Sequence, residues 1–192
     1  YRRSARRGDM ADAAQYAAAI VLIDGVFQEE LAPSPKEVRN ACRRCTVVGA
    51  ASLGALRAVE CVPYGARPRG TIARWYATSA IDGDDEVAVI IEPEHERALS
   101  VPLVNVRYLL YRARKRGLLD AAESGQILED ARAIFYADRV WDDIFEAAPP
   151  LRREALRSLA GEGADLKRMD ARFALRSVLR SIQESEDTTS LS

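Results

Sequence analysis

The sequence predicts an α/β protein, with a small, mainly parallel sheet, flanking helices and a helical C-terminal part. Two continuous apolar runs, at residues 18–23 and 46–50, have the composition of buried parallel strands. Each run is followed by a segment whose apolar residues have helical spacing, and this alternation favours a parallel sheet. Beyond residue 102 only helical spacing recurs.

The predicted organisation has one main domain, as is usual for a chain of 192 residues. Residues 1–16 are expected to be disordered or the remnant of a fused segment, and residues 17–147 to form the core domain. A Pro-Pro pair at 149–150 separates the core from C-terminal helices at 148–184, which we expect to pack on it. Residues 185–192 read as a disordered tail, because they are polar and acidic.

The composition excludes several classes of protein. A net charge of −1 gives no basic field for nucleic acid, so we expect no nucleic-acid partner. No apolar run approaches the roughly 18 residues that span a bilayer, so we expect no membrane partner. The three cysteines cannot all pair, which favours a reducing cytoplasm.

The first strand and helix are marked by local signals. Asp24-Gly25 ends the first strand, at the edge of the sheet where α/β proteins place binding groups. Asp24 is therefore either a binding group or a turn residue that satisfies local N–H groups. Ser34 and Glu37 form a capping box around Pro35, which predicts that a helix begins there.

The second strand leads into Ala50-Ala51-Ser52-Leu53-Gly54, which has the layout of a nucleophile elbow. Ala50 replaces the first glycine of the common form, and the small residues permit a tight strand-to-helix turn. The N–H groups of Leu53 and Gly54 would then face an oxyanion formed at Ser52. A packing role or phosphate binding by the same turn stays open at this point.

Three other features favour structural over chemical roles. Cys42 and Cys45 match C-x-x-C but close a helix, which favours two partly buried structural thiols. The acidic cluster at 82–86, before a predicted strand at 87–91, favours a solvated turn or a docking surface over a divalent cation, so we expect no metal. The lone histidine, His95, is flanked by carboxylates and suits a general base poorly.

Several segments between about residues 20 and 110 together resemble the TfuA-like family, the partners of YcaO enzymes in peptide-backbone thioamidation. The run at 49–60 and the run at 102–107 are specific, whereas the others would be weak alone. Leu53 stands where the family often has methionine. The matching segments are Ile23-Asp24-Gly25-Val26-Phe27, Lys36-Glu37, residues 49–60, Asp84-Asp85-Glu86-Val87-Ala88 and Pro102-Leu103-Val104-Asn105-Val106-Arg107.

The resemblance implies a function. TfuA-like proteins support YcaO, which uses ATP to activate a peptide amide, so the chain itself is expected to need no cofactor. Their site cleaves the thiocarboxylate of a small ThiS-like sulfur carrier and frees sulfide beside YcaO. The family's site is described as a Ser–Lys pair, which falls on Ser52 and most plausibly on Lys36 in this sequence. The alternative is a non-catalytic adaptor that docks YcaO, carrier and peptide.

The chemistry of lysine agrees with the assignment of the family's lysine to Lys36. A lysine acts as a base only when its pKa falls from about 10.4 towards neutrality. Lys36 lies in the first turn of its predicted helix, where the dipole disfavours a cation. Further residues are candidates for binding the carrier's flexible Gly-Gly tail or shaping the site, and each is equally open to a structural role: Asp24, Gly25, Arg57, Asp84, Asp85, Asn105 and Arg107.

Overall fold

The computed structural model describes residues 3–25, 30–92, 94 and 97–190, the last six of them by their backbone alone. The chain forms two compact units. Unit 1 comprises residues 1–82 and 167–192, and unit 2 comprises residues 83–166. Residues 83–166 have a hydrophobic core of their own.

Unit 1 contains the sheet. Its three strands are parallel and lie in the order β1-β2-β3, with Ala19 opposite Thr46 and Val48 opposite Arg67. The parallel sheet confirms the predicted fold class. Numbered along the whole chain, the elements of unit 1 are α1 (Asp9–Ala13), β1 (Ala19–Leu22), α2 (Pro35–Cys42), β2 (Thr46–Gly49), α3 (Leu53–Glu60), β3 (Arg67–Pro68), α4 (Thr71–Ala77) and α9 (Leu166–Ser190).

Both faces of the sheet are covered, as the continuous apolar strands require. Leu22 and Val47 pack with Val38 of α2 and Ala58 of α3. Their neighbours along the strands point the opposite way and pack against α9. That second cluster comprises Val21, Ile23, Val48, Ala50, Ala51, Ala171, Ala174 and Val178.

The N-terminal segment is more ordered than the sequence indicates. Residues 9–13 form α1, and Met10 is buried in the cluster with α2. The N–H of Ala5 donates to the carbonyl of Asp24 at 3.0 Å, so the segment also contacts the end of β1. At the other terminus, the backbone of α9 continues to Ser190, through most of the predicted tail.

Two local signals act as predicted in unit 1. The Ser34 side chain accepts the N–H of Glu37, whose carboxylate accepts the N–H of Ser34, so the capping box is confirmed. At Gly54 a Cβ would overlap the carbonyl oxygen of Leu22 and lie 2.5 Å from its carbonyl carbon. Glycine is therefore what lets α3 approach β1 so closely.

Unit 2 is helical. Asp120 and Glu123 form a second capping box at its second helix. The predicted strand at 87–91 is wrong: a 3₁₀ turn at Asp84–Glu86 precedes it, and Ile91 forms only an isolated bridge with Ala98. The helices are α5 (Leu103–Lys115), α6 (Ala121–Ala133), α7 (Trp141–Glu146) and α8 (Arg153–Gly161), packed around a core that includes Leu109, Ile127, Ile144 and Leu156.

Candidate active site at the β2–α3 turn

The turn between β2 and α3 is tight and strained. Ala51 has φ +70°, a left-handed conformation that costs a non-glycine residue of order 1 kcal/mol or more. The N–H of Ser52 donates to the carbonyls of Ile23 at 3.2 Å and Ala50 at 2.9 Å. Ser52 then stands at the N-cap of α3, but its side chain makes no capping bond. This is the geometry of a strand-to-helix elbow, with the strain one residue before the serine.

The hydroxyl of Ser52 is buried without a partner. The residue is 0% exposed, and its Oγ has no hydrogen-bond partner among the described residues. A buried hydroxyl left unsatisfied costs about 1–3 kcal/mol, so such groups are rare in folded proteins. An unpaired serine at a strained turn is therefore a candidate for a group kept for chemistry rather than for stability.

Of the two amides predicted to hold an oxyanion, one is already used. The N–H of Gly54 donates to the carbonyl of Ile23 at 3.2 Å. The N–H of Leu53, at the first position of α3, has no acceptor within the ranges that the structure describes. The geometry thus leaves Leu53 as the backbone donor beside Ser52 and takes Gly54 out of that role in this conformation.

Lys36 lies in the first turn of α2 and its side chain is exposed. The preceding carbonyl, that of Pro35, accepts from the Sγ of Cys61 at 3.4 Å, which sets the start of α2 beside the C-terminal end of α3. Ser52 stands at the opposite end of α3. No Lys36–Ser52 hydrogen bond is formed, so their pairing stays a prediction.

A different lysine lies near the end of β1. The Nζ of Lys167, in the first turn of α9, is 4.0 Å from Oδ2 of Asp24, and the two side chains are 14% and 27% exposed. Oδ1 of Asp24 accepts the N–H of Gly25 at 2.9 Å. Gly25 is in turn held close to α3, since a Cβ there would lie 2.5 Å from the side chain of Leu53.

Asp170 ties α9 to the start of α4. Its carboxylate is buried and accepts the N–H of Ile72 at 2.7 Å. Gly70 has φ +97° and lies directly against this carboxylate, so no side chain fits there. Burial raises the pKa of Asp170, although the N–H donors of α4 act in the opposite direction. This contact fixes the first turns of α9 against the sheet.

Arg57, a predicted substrate-binding residue, is engaged in structural contacts. Its Nε donates to the carbonyl of Pro33 at 2.9 Å, and its Nη1 pairs with Glu60 at 2.8 Å. The remaining four candidates lie in unit 2, so the structure does not gather all the predicted residues in one unit.

In unit 2, two of the four candidates form ion pairs. Arg107 makes a bidentate pair with buried Glu86 at 2.6 and 2.8 Å. Asp85 pairs at 3.1 Å with Arg139, which is fully buried and also donates to three backbone carbonyls. These contacts give both candidates a structural role.

The other two candidates of unit 2 differ from each other. Oδ1 of the buried Asn105 accepts the N–H of Leu166, the last residue of unit 2, at 2.9 Å. Asp84 is exposed at the start of its 3₁₀ turn. Asp84 thus offers a carboxylate to solvent, whereas the Asn105 side chain is already engaged.

Four functional or structural residues were missed from the sequence: Lys167, Asp170, Glu86 and Arg139. Lys167 carried a usable signal, because the chain has only three lysines and this one lies three residues before an aspartate on a predicted helix. Arg139 carried none, since its partners Val101 and Asp85 are 38 and 54 residues away along the chain. His95 lies outside the described residues.

The cysteines are free thiols. Burial, together with the charge of Cys45, raises the pKa of Cys42, and burial raises those of Cys45 and Cys61. Protonated thiols are poor nucleophiles and poor metal ligands at neutral pH. Across the described residues, no group of three or more His, Cys, Asp or Glu side chains could hold a metal ion.

The geometry defines a small α/β protein with a serine-bearing strand-to-helix turn at the carboxyl edge of a parallel sheet. Comparison with family models matches residues 24–140, more than half of the chain, to the family described as TfuA-like protein. The chain belongs to the TfuA-like family, as the sequence predicts. Membership implies an accessory role with YcaO.

Three further findings bear on the chain. A search of curated proteins gives no match. None of the described helices combines the length and the apolarity needed to cross a membrane. Lys167 and Asp170 lie beyond the part of the chain that the family model matches.

Proposed function

We propose that this chain serves YcaO-dependent thioamidation by hydrolysing a thiocarboxylated ThiS-like sulfur carrier at Ser52. The observation that carries the proposal is the Ser52 hydroxyl at the strained N-cap of α3, fully buried and without a hydrogen-bond partner in the described part of the chain. The N–H of Leu53 and the positive end of the α3 dipole favour negative charge at that point. Such preorganised donors stabilise an oxyanion.

The reaction balances in two steps. Oγ of Ser52 attacks the thiocarboxylate carbon, its proton passes through a base to the sulfur, and the C–S bond breaks to release hydrosulfide. Water then cleaves the ester, giving the carboxylate of the carrier and restoring the serine. Lys36 is the base in this proposal, and since it lies exposed beside the opposite end of α3 in the free protein, binding of the carrier must also bring it to Ser52. Hydrosulfide leaves readily, so a strong acid is not required.

The proposal needs no cofactor on this chain, because ATP is consumed by the YcaO partner. It does need access to Ser52, which is 0% exposed in the free protein. A Gly-Gly tail, which has no side chains, is the narrowest polypeptide that can enter such a site. Binding of the carrier must therefore open the cover of Ser52 before the reaction.

The test is intact mass spectrometry of thiocarboxylated ThiS-type carrier incubated with wild type, Ser52→Ala or Lys36→Ala. Only the wild type is expected to convert thiocarboxylate to carboxylate at full rate. Ser124→Ala, which removes another buried serine hydroxyl, and Lys115→Ala are matched controls that should hydrolyse normally. Equal conversion by Ser52→Ala and wild type would place the chemistry elsewhere.

If neither the wild type nor any variant cleaves the carrier, even with YcaO present, the non-catalytic adaptor replaces the hydrolase as the proposed function. Folding must be checked in parallel. Removing an unsatisfied buried hydroxyl should leave Ser52→Ala at least as stable as wild type, because no hydrogen bond is lost. A loss of activity in a stable Ser52→Ala protein is then a loss of chemistry.

A further inference from the structure

Lys167 lies on the face of α9 that packs on the sheet. Ala171 and Ala174 of that face pack with Ala50 and Ala51, the two residues before Ser52. Lys167 is one helical turn before Ala171, and residues four apart on a helix share a face. Its side chain is only 14% exposed, which is unusual for a lysine.

The partner of Lys167 places it at the ends of the strands. Asp24, whose Oδ2 is 4.0 Å from the Lys167 Nζ, directly follows Ile23. The carbonyl of Ile23 accepts the N–H of Ser52 at 3.2 Å. Asp24, the carboxylate partner of Lys167, is therefore adjacent in the chain to Ile23, the residue that is hydrogen-bonded to Ser52.

The charge state follows from this partner. Lysine is a cation at neutral pH, and the Lys167 Nζ lies 4.0 Å from a carboxylate oxygen, so Lys167 is placed to act as a cation rather than as a base. The 4.0 Å separation is longer than a direct hydrogen bond, so Asp24 holds the ammonium by charge.

Of the two N–H groups at the start of α3 that could face an anion, one is already used. The N–H of Gly54 donates to the carbonyl of Ile23, which leaves that of Leu53 from this pair. The proposed substrate is anionic, because a thiocarboxylate carries a negative charge at neutral pH. A second, charged group is needed to attract that terminus into a buried site.

We infer that Lys167, held by Asp24, is the residue that selects an anionic carboxylate or thiocarboxylate terminus for the Ser52 site. The inference rests on the proposed function and deepens it, since it assigns recognition of the substrate's negative charge to one side chain. Lys167 binds the terminus, and the base that accepts the serine proton is a separate group.

The experiment measures binding without turnover. The affinity of the protein for a ThiS-type carrier ending in its natural carboxylate is compared, by calorimetry, with its affinity for the same carrier ending in a carboxamide. Wild type should prefer the carboxylate form by about tenfold to hundredfold, the usual range for a charge-assisted hydrogen bond. Lys167→Met should abolish that preference and leave binding of the carboxamide form unchanged.

Two controls separate charge from structure. Lys167→Arg should keep most of the preference, and Lys115→Met, which removes an unrelated lysine, should keep all of it. Equal weakening of both carriers by Lys167→Met, or no carboxylate preference in the wild type, would overturn the inference.

The outcome is independent of hydrolysis. A carboxylate preference that depends on Lys167, together with an active Ser52→Ala variant, would refute the proposed hydrolase while leaving charge recognition standing. Conversely, a Lys167→Met protein with intact binding preference but no hydrolysis would assign Lys167 to the proton transfer and overturn the binding role.

Discussion

Gly54→Ala tests the close approach of α3 to β1, on which the geometry of Ser52 depends. The new Cβ would overlap the Leu22 carbonyl oxygen and lie 2.5 Å from its carbonyl carbon, against 3.4 Å for ordinary contact. Helix and strand must separate by at least 0.9 Å at that point, the difference between these two distances. The obstructing atoms are backbone atoms, so no side chain can rotate away.

The expected cost follows from these distances. Overpacking of a core costs about 1–3 kcal/mol, and a backbone obstacle puts this site at the upper end. Alanine recovers about 1 kcal/mol through its higher helix propensity. We expect Gly54→Ala to lower the free energy of unfolding by about 2 kcal/mol, a shift of about 1 M in the urea midpoint.

The assay is urea unfolding followed by the fluorescence of Trp75 in α4, in a Trp141→Phe background, so that unit 1 alone is reported. Gly125→Ala in α6 is the matched control, read through Trp141 with Trp75 replaced by Phe. A Cβ at Gly125 meets nothing within 4 Å, so the control should gain about 0.5–1 kcal/mol. A Gly54→Ala midpoint equal to or above that of wild type would refute the close packing.

The remaining predictions concern buried and half-buried polar groups. Because the raised pKa of Asp170 favours its protonated form in the folded state, wild type should lose stability relative to Asp170→Asn as pH rises above about 4, as measured by thermal unfolding at each pH. Asp170→Ala should have a free energy of unfolding about 1–3 kcal/mol lower than that of Asp170→Asn, because the N–H of Ile72 loses its acceptor. Arg139→Met should destabilise unit 2 by about 3–5 kcal/mol in urea unfolding, since three backbone carbonyls lose their donor at about 1–3 kcal/mol each. The raised pKa of Cys42 should make its reaction with a disulfide reagent slow at pH 7 and still rising above the ordinary thiol pKa of about 8.5, whereas a rate that levels off at that pH would contradict the burial.

The sheet and the elbow could be predicted from the sequence because their signals are local. An apolar run, a capping box at Ser34 and Glu37, and small residues around Ser52 each specify backbone geometry within a few residues. The prediction of a strand at 87–91 was wrong because local composition does not decide which segment joins the sheet. The composition of residues 87–91 suits a strand, but the third place in the sheet is taken by Arg67–Pro68, a segment of two residues with no strand signal.

The surroundings of Ser52 could not be predicted, because they come from distant parts of the chain. Lys167 meets Asp24 across more than 140 residues, and Asp170 caps α4 across 98 residues. The use of the Gly54 N–H by Ile23 depends on how closely α3 approaches β1, which sequence spacing does not encode. The local elbow pattern led to Ser52 and the resemblance to Lys36, whereas geometry adds Lys167.

The most direct test of the account is thioamide formation by a YcaO partner with a thiocarboxylated carrier as the only sulfur source. Wild type should support product formation, and Ser52→Ala should not. Adding free sulfide should restore the reaction with Ser52→Ala, because the lost step is the release of sulfide. If Ser52→Ala supports thioamidation from the carrier as well as wild type does, Ser52 is not the nucleophile and the chain is an adaptor.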